Sequence, residues 1–166
     1  IATMSSFSLE EAVTHLTQEG SRFALTKAMV NGSSLPVFAN APHSLTDLLQ
    51  QSTAEFADRE LLVFEDERLH YREFSERVAR FAQVLREDFG ICRGDRVAIA
   101  MRNYPEYVIT LLAAASLGAV AVHMNAWWTA HELAYGFEDS GARLAVVDDA
   151  RAERLHDTAL RLGITV

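Results

Sequence analysis

The stretch "YVITLLAAASLGAVAVHMNAWWTA", from Tyr107 to Ala130, contains no Asp, Glu, Lys or Arg. A segment this apolar belongs either in a membrane or in the interior of a folded domain. A membrane-spanning helix needs about 20 apolar residues in one unbroken run. Here such a helix would be interrupted by polar or flexible residues, namely Thr110, Ser116, Gly118, His123 and Asn125. The composition of the stretch therefore favours the core of a globular domain over a membrane span.

The same stretch predicts a helix followed by a strand. Pro105 suits the first turn of a helix, and Glu106 is favourable beside the positive end of the helix dipole. The helix is apolar almost all round, which predicts burial, and Gly118 is placed to end it. The run "AVAV" at 119–122 is then predicted to be a buried strand of a parallel sheet, because such strands are continuous and β-branched.

The segments on either side alternate in the same way. Before the stretch we predict a strand at 61–64, an acidic turn and a short return strand to Tyr71. A helix at 72–88 and a strand at 96–101 follow. One face of this helix is predicted to be apolar, and it carries Phe74, Val78, Phe81, Leu85 and Phe89. After it we predict a helix from 129 or 130 to about 139, a buried strand in "ARLAVVDD", a helix in "ARAERLHDTALRLG" and the start of a strand in "ITV". This order predicts an α/β fold, with a doubly wound parallel sheet flanked by helices.

The first part of the chain has a different pattern. Ser8 and Glu11 form a capping-box signature for a helix that Gly20 would end. Asn31-Gly32 lies between two β-prone runs and predicts a hairpin. A further helix is predicted from Ser44. We therefore divide the chain into an N-terminal helix and hairpin extension, residues 1–43, and an α/β subdomain, residues 44–166, whose last strand looks unfinished.

Composition excludes several classes of function. A formal charge of −8 argues against nucleic acid or an anionic membrane as a partner, because both require clustered Lys and Arg. Cys92 is the single cysteine, so the chain cannot form an internal disulfide or a thiolate metal cage. The first residues are polar and acidic and do not resemble a signal peptide, so we expect a cytoplasmic location.

For each candidate chemical motif, a structural interpretation is simpler than a catalytic or binding one. The acids Glu65, Asp66 and Glu67 suit a solvated hairpin turn better than a metal site. "GFEDSGAR" has the glycine spacing of a phosphate loop, but it lacks the lysine and closes a helix instead of following a strand. Asp148-Asp149 resembles the acidic pair of receiver domains, yet acids between a strand and a helix are also ordinary N-caps. "RGD" at 93–95 reads as a turn between a helix and a strand.

No other residue type completes a catalytic set. His123 ends a predicted strand, where open α/β sheets commonly bind ligands, but a packed or capping histidine is the more frequent case. Cys92 and the serines lack the local signatures of nucleophiles. No metal-binding spacing occurs among the histidines, which are His15, His43, His70, His123, His131 and His156. We therefore assign no catalytic, cofactor-binding or metal-binding residue from the sequence.

The order of short motifs resembles the N-terminal region of acyl-CoA synthetases. These enzymes belong to the adenylate-forming superfamily, which also holds firefly luciferase and peptide-synthetase adenylation domains. The motifs are weak singly but stand in the family's order: Tyr71 at a helix start, "GDRVAI" at Gly94, "N-x-P-E" at Asn103, "LGAV" at Leu117, "EL-x-Y" at Glu132 and "DSGA" at Asp139. One departure is that Val122-His123-Met124-Asn125-Ala126 stands where the family usually has Val-Pro-Leu-Asn-Pro. Losing both prolines loosens the φ restriction of that turn.

The resemblance implies an ATP-dependent ligase that joins a carboxylate, such as a fatty acid, to CoA through an acyl-adenylate. ATP, Mg²⁺ and CoA would then serve the full-length parent protein, while the 166-residue chain would bind none of them and be inactive. The family's phosphate loop, Mg²⁺ ligand, ribose-binding aspartate and lid lysine have no match here, and Lys27, the only lysine, lies far too early. Two alternatives are a self-contained binding or interaction module and a membrane-anchored protein. The carboxylic acid used and the oligomeric state are not encoded in these motifs.

Overall fold

The computed structural model of the chain describes residues 8–166, which divide into two compact units with the boundary between His43 and Ser44. The first unit contains helix α1 (Leu9–Thr17) and strands β1 (Leu25–Val30) and β2 (Ser33–Phe38). The predicted capping box is confirmed: the Glu11 N–H donates to Ser8 Oγ at 3.2 Å, and the Ser8 N–H donates to Glu11 Oε2 at 2.8 Å. The helix ends before the predicted stop at Gly20, because Gln18 already has an extended backbone.

The predicted hairpin is also confirmed. Strands β1 and β2 pair antiparallel, with Leu25 opposite Phe38 and Val30 opposite Ser33. Asn31 and Gly32 form the two-residue connection with φ of 48° and 83°. Two positive φ values in a two-residue turn define the type I′ geometry, whose twist matches that of the flanking strands and which Asn-Gly favours.

The second unit confirms the α/β fold class. Its elements are α2 (Leu45–Phe56), β3 (Glu60–Phe64), β4 (Glu67–His70), α3 (Tyr71–Glu87), β5 (Arg96–Ala100), α4 (Pro105–Ser116), β6 (Val120–His123), α5 (Ala130–Ser140), β7 (Leu144–Val147) and α6 (Asp149–Leu162). Strands β3 and β4 form an antiparallel hairpin, and the other three strands form a parallel sheet in the order β6-β5-β7. Thr165 makes an isolated parallel bridge to Leu144, at the position of the predicted last strand.

Helices cover both faces of the parallel sheet. On one face, Val97 joins a buried cluster with residues of α3 and α4, among them Phe74, Leu85 and Ala113. On the other face, Ala98 and Ala100 join a second cluster with residues of α5 and α6, which include Leu133, Phe137 and Leu155. Successive residues of β5 thus point to opposite faces, as the period of a strand requires, and 97–100 are fully buried.

Three details of the sequence prediction are wrong. Strand β6 is not buried, because it lies at an edge of the described sheet, and Val120 is 50% exposed. Helix α4 is not buried all round, because Leu111 and Leu112 stay half-buried. Phe89 lies beyond the end of α3 and is exposed, whereas the other apolar residues predicted for that face are buried or half-buried.

The charge-free stretch is divided between three elements, as predicted. Helix α4 ends at Ser116, the strand β6 follows, and α5 begins at Ala130. Over residues 8–166, no helix has both the length and the apolar character needed to cross a bilayer.

Candidate functional site

The order of the strands creates a crevice at the carboxyl edge of the parallel sheet. The chain leaves β5 through α4 to β6 on one side, and then crosses through α5 to β7 on the other side. Open α/β sheets bind ligands at such a reversal, outside the carboxyl ends of the strands. The relevant segments are residues 101–106, which follow β5, and residues 148–151, which follow β7. A cavity of about 620 Å³ lies between these two segments.

Asp148 forms hydrogen bonds with both segments that border this cavity. It is the N-cap of α6, where its Oδ1 accepts from the Arg151 N–H at 3.1 Å. Its Oδ2 accepts from the Arg102 N–H at 3.1 Å, so the carboxylate also ties the end of β5 to the start of α6. Arg151 Nη1 lies 3.1 Å from Oδ1 and 3.0 Å from Oδ2. Both oxygens are therefore occupied by protein donors, which leaves Asp148 unsuited to bind a metal ion.

The pKa of Asp148 reflects these contacts. Burial raises the pKa of a carboxyl group because it disfavours the charged form. Hydrogen bonds from the Arg102 N–H and from the Arg151 side chain and N–H, together with the charge of Arg151, outweigh burial and hold the pKa of Asp148 below its usual value. Asp148 is accordingly ionised at neutral pH and forms a charge-assisted pair with Arg151, whose side chain is only 5% exposed.

A second cleft, of about 370 Å³, lies beside the first and is walled by aromatic rings. Phe64 and Tyr104 meet edge to face with their centroids 5.5 Å apart. Trp127 is 72% exposed, and the guanidinium carbons of Arg102 and Arg151 lie 5.4 Å and 5.9 Å from the centre of its ring. Aromatic rings and guanidinium groups offer flat, partly apolar surfaces, so this cleft is equipped for recognition.

Tyr107 and His123 form a pair at the same edge. The Tyr107 hydroxyl lies 2.6 Å from His123 Nδ1, and the two rings stack with centroids 5.6 Å apart. Burial raises the pKa of Tyr107 above its ordinary value. This contact links the first turn of α4 to the end of β6.

The other motifs of the sequence take structural roles. Gly136 lies within α5 and Gly141 caps its end in the left-handed conformation, which confirms the reading of "GFEDSGAR" as a helix terminus. The reading of Asp148 as an N-cap is also confirmed. Glu67 pairs with Arg77 at 2.8 Å, and Arg68 donates to the Glu65 carbonyl. Within residues 8–166, no three His, Cys, Asp or Glu side chains are grouped to bind a metal ion.

The sequence did not reveal the role of Arg151. The spacing of Asp148 and Arg151 is compatible with an ion pair across the first turn of a helix, but most such pairs are exposed and contribute little. The further partner of Arg151 is the carbonyl oxygen of Ala126, 25 positions away in the chain, which accepts from Nε at 2.7 Å. A main-chain acceptor in a distant loop leaves no signal in residue spacing.

We expect Gly136→Ala to destabilise the protein, although alanine in a helix interior is normally more stabilising than glycine by about 0.5–1 kcal/mol. A Cβ at position 136 would lie 2.9 Å from Cζ3 of the rigid Trp128 ring, closer than van der Waals contact allows. Forced overpacking of this kind costs about 1–3 kcal/mol, which exceeds the gain. Urea unfolding of the single variants and of a double variant with Trp128→Leu measures the effect. The prediction would be contradicted if Gly136→Ala stabilised the unmodified protein and the Trp128→Leu variant by the same amount.

Comparison with known proteins identifies the family. Residues 49–165 match the AMP-binding enzyme family. The chain is 36% identical over 104 residues to the long-chain-fatty-acid–CoA ligase of Escherichia coli O6:H1, an alignment that covers 63% of this chain and 18% of that protein. It is 36% identical over 121 residues to the long-chain-fatty-acid–CoA ligase of Haemophilus influenzae, with coverage of 73% and 22%. The chain thus spans only about a fifth of the length of these relatives.

Solved structures share the fold. A protein described as a long-chain-fatty-acid CoA ligase, from Rhodopseudomonas palustris, superposes with a TM-score of 0.70 at 28% identity, over 75% of this chain and 31% of that one. The N-terminal subdomain of Klebsiella oxytoca NpsA gives a TM-score of 0.60 at 31% identity, over 64% of this chain and 28% of that one. The fold and the sequence together place this chain in the AMP-binding enzyme family. The resemblance to the N-terminal region of adenylate-forming enzymes is confirmed.

Proposed function

We propose that this chain is part of an ATP-dependent carboxylate–CoA ligase that uses fatty acids. The observation that carries the proposal is the family match over residues 49–165, together with curated relatives named long-chain-fatty-acid–CoA ligases. The 1–43 segment is proposed as an extension and 44–166 as the first α/β subdomain of the AMP-binding domain. A cytoplasmic location is part of the proposal, and the single cysteine is compatible with a reducing compartment.

The proposed reaction has two half-reactions. A carboxylate oxygen attacks the α-phosphorus of ATP, which forms an acyl-adenylate and releases pyrophosphate. The thiol of CoA then attacks the acyl carbon, which forms the thioester and releases AMP, while the thiol proton passes to solvent. Mg²⁺ would accompany ATP and neutralise charge on the phosphates. We assign it no ligand here, because residues 8–166 contain no suitable acid cluster and Asp148 is bonded at both oxygens.

We further propose that residues 8–166 supply architecture and recognition surfaces and no catalytic group. The crevice at the carboxyl edge contains an ion pair, three aromatic rings and main-chain hydrogen bonds. The hydroxyl that lies beside a base at this edge is that of Tyr107, next to His123, and burial raises the pKa of Tyr107, which disfavours its nucleophilic phenolate form. The pairing of Asp148 with Arg151 also leaves that carboxylate unavailable as a general base.

Pyrophosphate release tests this proposal. We expect the longer gene product to release pyrophosphate from MgATP only when a carboxylate is present, with saturated fatty acids of graded length as the substrates. Addition of CoA should then yield the acyl thioester. The 166-residue chain, tested beside it, should give only background release. A longer product that adenylates no carboxylate would refute the ligase assignment. Turnover by the 166-residue chain alone would refute the assignment of catalysis to other segments.

A self-contained binding module is the second candidate. It is favoured by the packing of 44–166, because helices cover both faces of the sheet and form two buried clusters within this unit. The coding sequence after Val166 separates the two candidates. A Ser/Thr/Gly-rich phosphate loop encoded downstream would exclude the module, whereas a stop codon there would exclude the ligase.

A further inference from the structure

The loop between β6 and α5, residues 125–128, carries the two tryptophans and is here named the Trp loop. It contains no proline, so no φ angle within it is fixed covalently. Its own hydrogen bonds are two short-range ones, from the Trp127 N–H to Asn125 Oδ1 at 2.9 Å and from the Trp128 N–H to the Asn125 carbonyl at 3.1 Å. Trp128 packs against the buried cluster of α5 and α6, but these two hydrogen bonds do not define the position of Ala126 and Trp127 relative to the sheet.

Two arginines of α6 reach the carbonyl groups of the Trp loop. Arg151 Nε donates to the Ala126 carbonyl at 2.7 Å, and Arg154 Nη1 donates to the Trp128 carbonyl at 3.2 Å. Arg154 is exposed, whereas Arg151 is 4% exposed overall and is the buried one of the two. Hydrogen bonds from a charged donor are stronger than neutral ones, and more so away from water. Arg151 is therefore the principal polar anchor of the loop, beside the apolar packing of Trp128.

Asp148 fixes the guanidinium that makes this contact. Its two oxygens hold Arg151 Nη1, and its Oδ2 also accepts from the main chain of Arg102 at the end of β5. The connection thus runs from β5 through Asp148 and Arg151 to the Trp loop. The ring of Trp127 lies beside both Arg102 and Arg151, where it forms part of the wall of the aromatic cleft.

We propose that Asp148 and Arg151 are positioning residues that fix the Trp loop against the carboxyl edge of the sheet and thereby set the place of Trp127 in the aromatic cleft. The pair contributes no chemical step. The proposal goes beyond the proposed ligase reaction and stands independently of it, because it depends only on contacts within residues 102–154.

Backbone ¹⁵N relaxation of the 166-residue chain tests the proposal. Rigid backbone gives order parameters of about 0.85, and flexible segments give values below about 0.6. We expect the amides of 126 and 127 to be rigid in the unmodified chain. In Arg151→Lys, which keeps the charge but loses the Nε–H, they should fall into the flexible range while those of β5 stay rigid. Arg151→Met, which leaves no unpaired buried cation, is the second variant in case the lysine variant does not fold.

Arg161→Lys is the matched control. Arg161 lies on the same helix and also pairs with a carboxylate, that of Glu138, but its side chain is 57% exposed and no hydrogen bond joins it to the Trp loop. It should leave all order parameters unchanged. The proposal would be overturned if the loop were already flexible in the unmodified chain, or if it stayed rigid in both Arg151 variants. An equal loss of order in β5 and in the loop would show a general structural role instead of positioning.

Discussion

Asp148→Ala is expected to lower the free energy of unfolding by about 3–5 kcal/mol at neutral pH, which is the usual cost of removing one partner from a buried ion pair. The variant leaves the guanidinium of Arg151, 5% exposed, without its carboxylate. It also removes the N-cap of α6 and the acceptor of the Arg102 N–H. Urea unfolding followed by circular dichroism measures the change. Native proteins are stable by only about 5–15 kcal/mol, so a loss of this size should shift the urea-unfolding transition measurably.

Glu138→Ala is the matched control for Asp148→Ala. Glu138 also pairs with an arginine of α6, but both side chains of that pair are about half exposed, so its removal should have little effect on the free energy of unfolding.

The pH dependence of the stability gives a second check on the role of Asp148. The pKa of Asp148 is lower in the folded protein than its ordinary value of 3.8. Its stabilising contribution is therefore complete above that ordinary value and is lost as the pH falls through the folded pKa.

The difference in stability between the unmodified protein and Asp148→Ala should accordingly shrink below about pH 4. A difference that stayed constant down to pH 3 would show that the ionised carboxylate is not the source of the stability. An effect as small as that of Glu138→Ala at neutral pH would contradict the expected strength of the buried pair.

Phe74→Ala is expected to cost a similar amount, about 3–5 kcal/mol, for a different reason. Phe74 is 1% exposed and belongs to the buried cluster that α3 and α4 form against the sheet, which also contains Leu85 and Ile109. Truncation removes the transfer energy of the ring and leaves a cavity that a close-packed interior only partly refills. The midpoint of urea unfolding should fall while the slope stays unchanged.

The control for this variant is Phe89→Ala. Phe89 follows the end of α3 and is 39% exposed, so its truncation should change stability far less than that of Phe74. Similar losses of stability for the two variants would mean that burial does not determine how much each phenylalanine stabilises the protein. A change in the slope for Phe74→Ala would point to a less compact native or denatured state.

The features that the sequence predicted well are those determined by neighbouring residues. The capping box of Ser8 and Glu11, the Asn31-Gly32 turn and the N-cap at Asp148 each depend on side chains that reach their partners within a few positions. The alternation of helices and strands followed from hydrophobic period, which is also local. These signals sufficed for the fold class and for most boundaries.

The candidate site could not be predicted in the same way, because its contacts are between distant segments. The order β6-β5-β7 places β6 at an edge, and nothing in "VAVH" distinguishes an edge strand from a central one. The pairing of Tyr107 with His123 joins a helix to a strand 16 positions later, and Arg151 reaches a carbonyl 25 positions earlier. Main-chain acceptors carry no residue type, so a sequence pattern cannot reveal them.

The place of β5 at the centre of the sheet has a consequence for biosynthesis. Both strands that pair with β5 come later in the chain, so during translation "RVAIA" leaves the ribosome with both of its edges open. Parallel pairing over such separations is slow, because each loop must close before the strands can bond. The hairpin of β3 and β4 and the helix α3 can form earlier from local contacts. We infer that this nascent segment is exposed to misassembly until β7 has been synthesised.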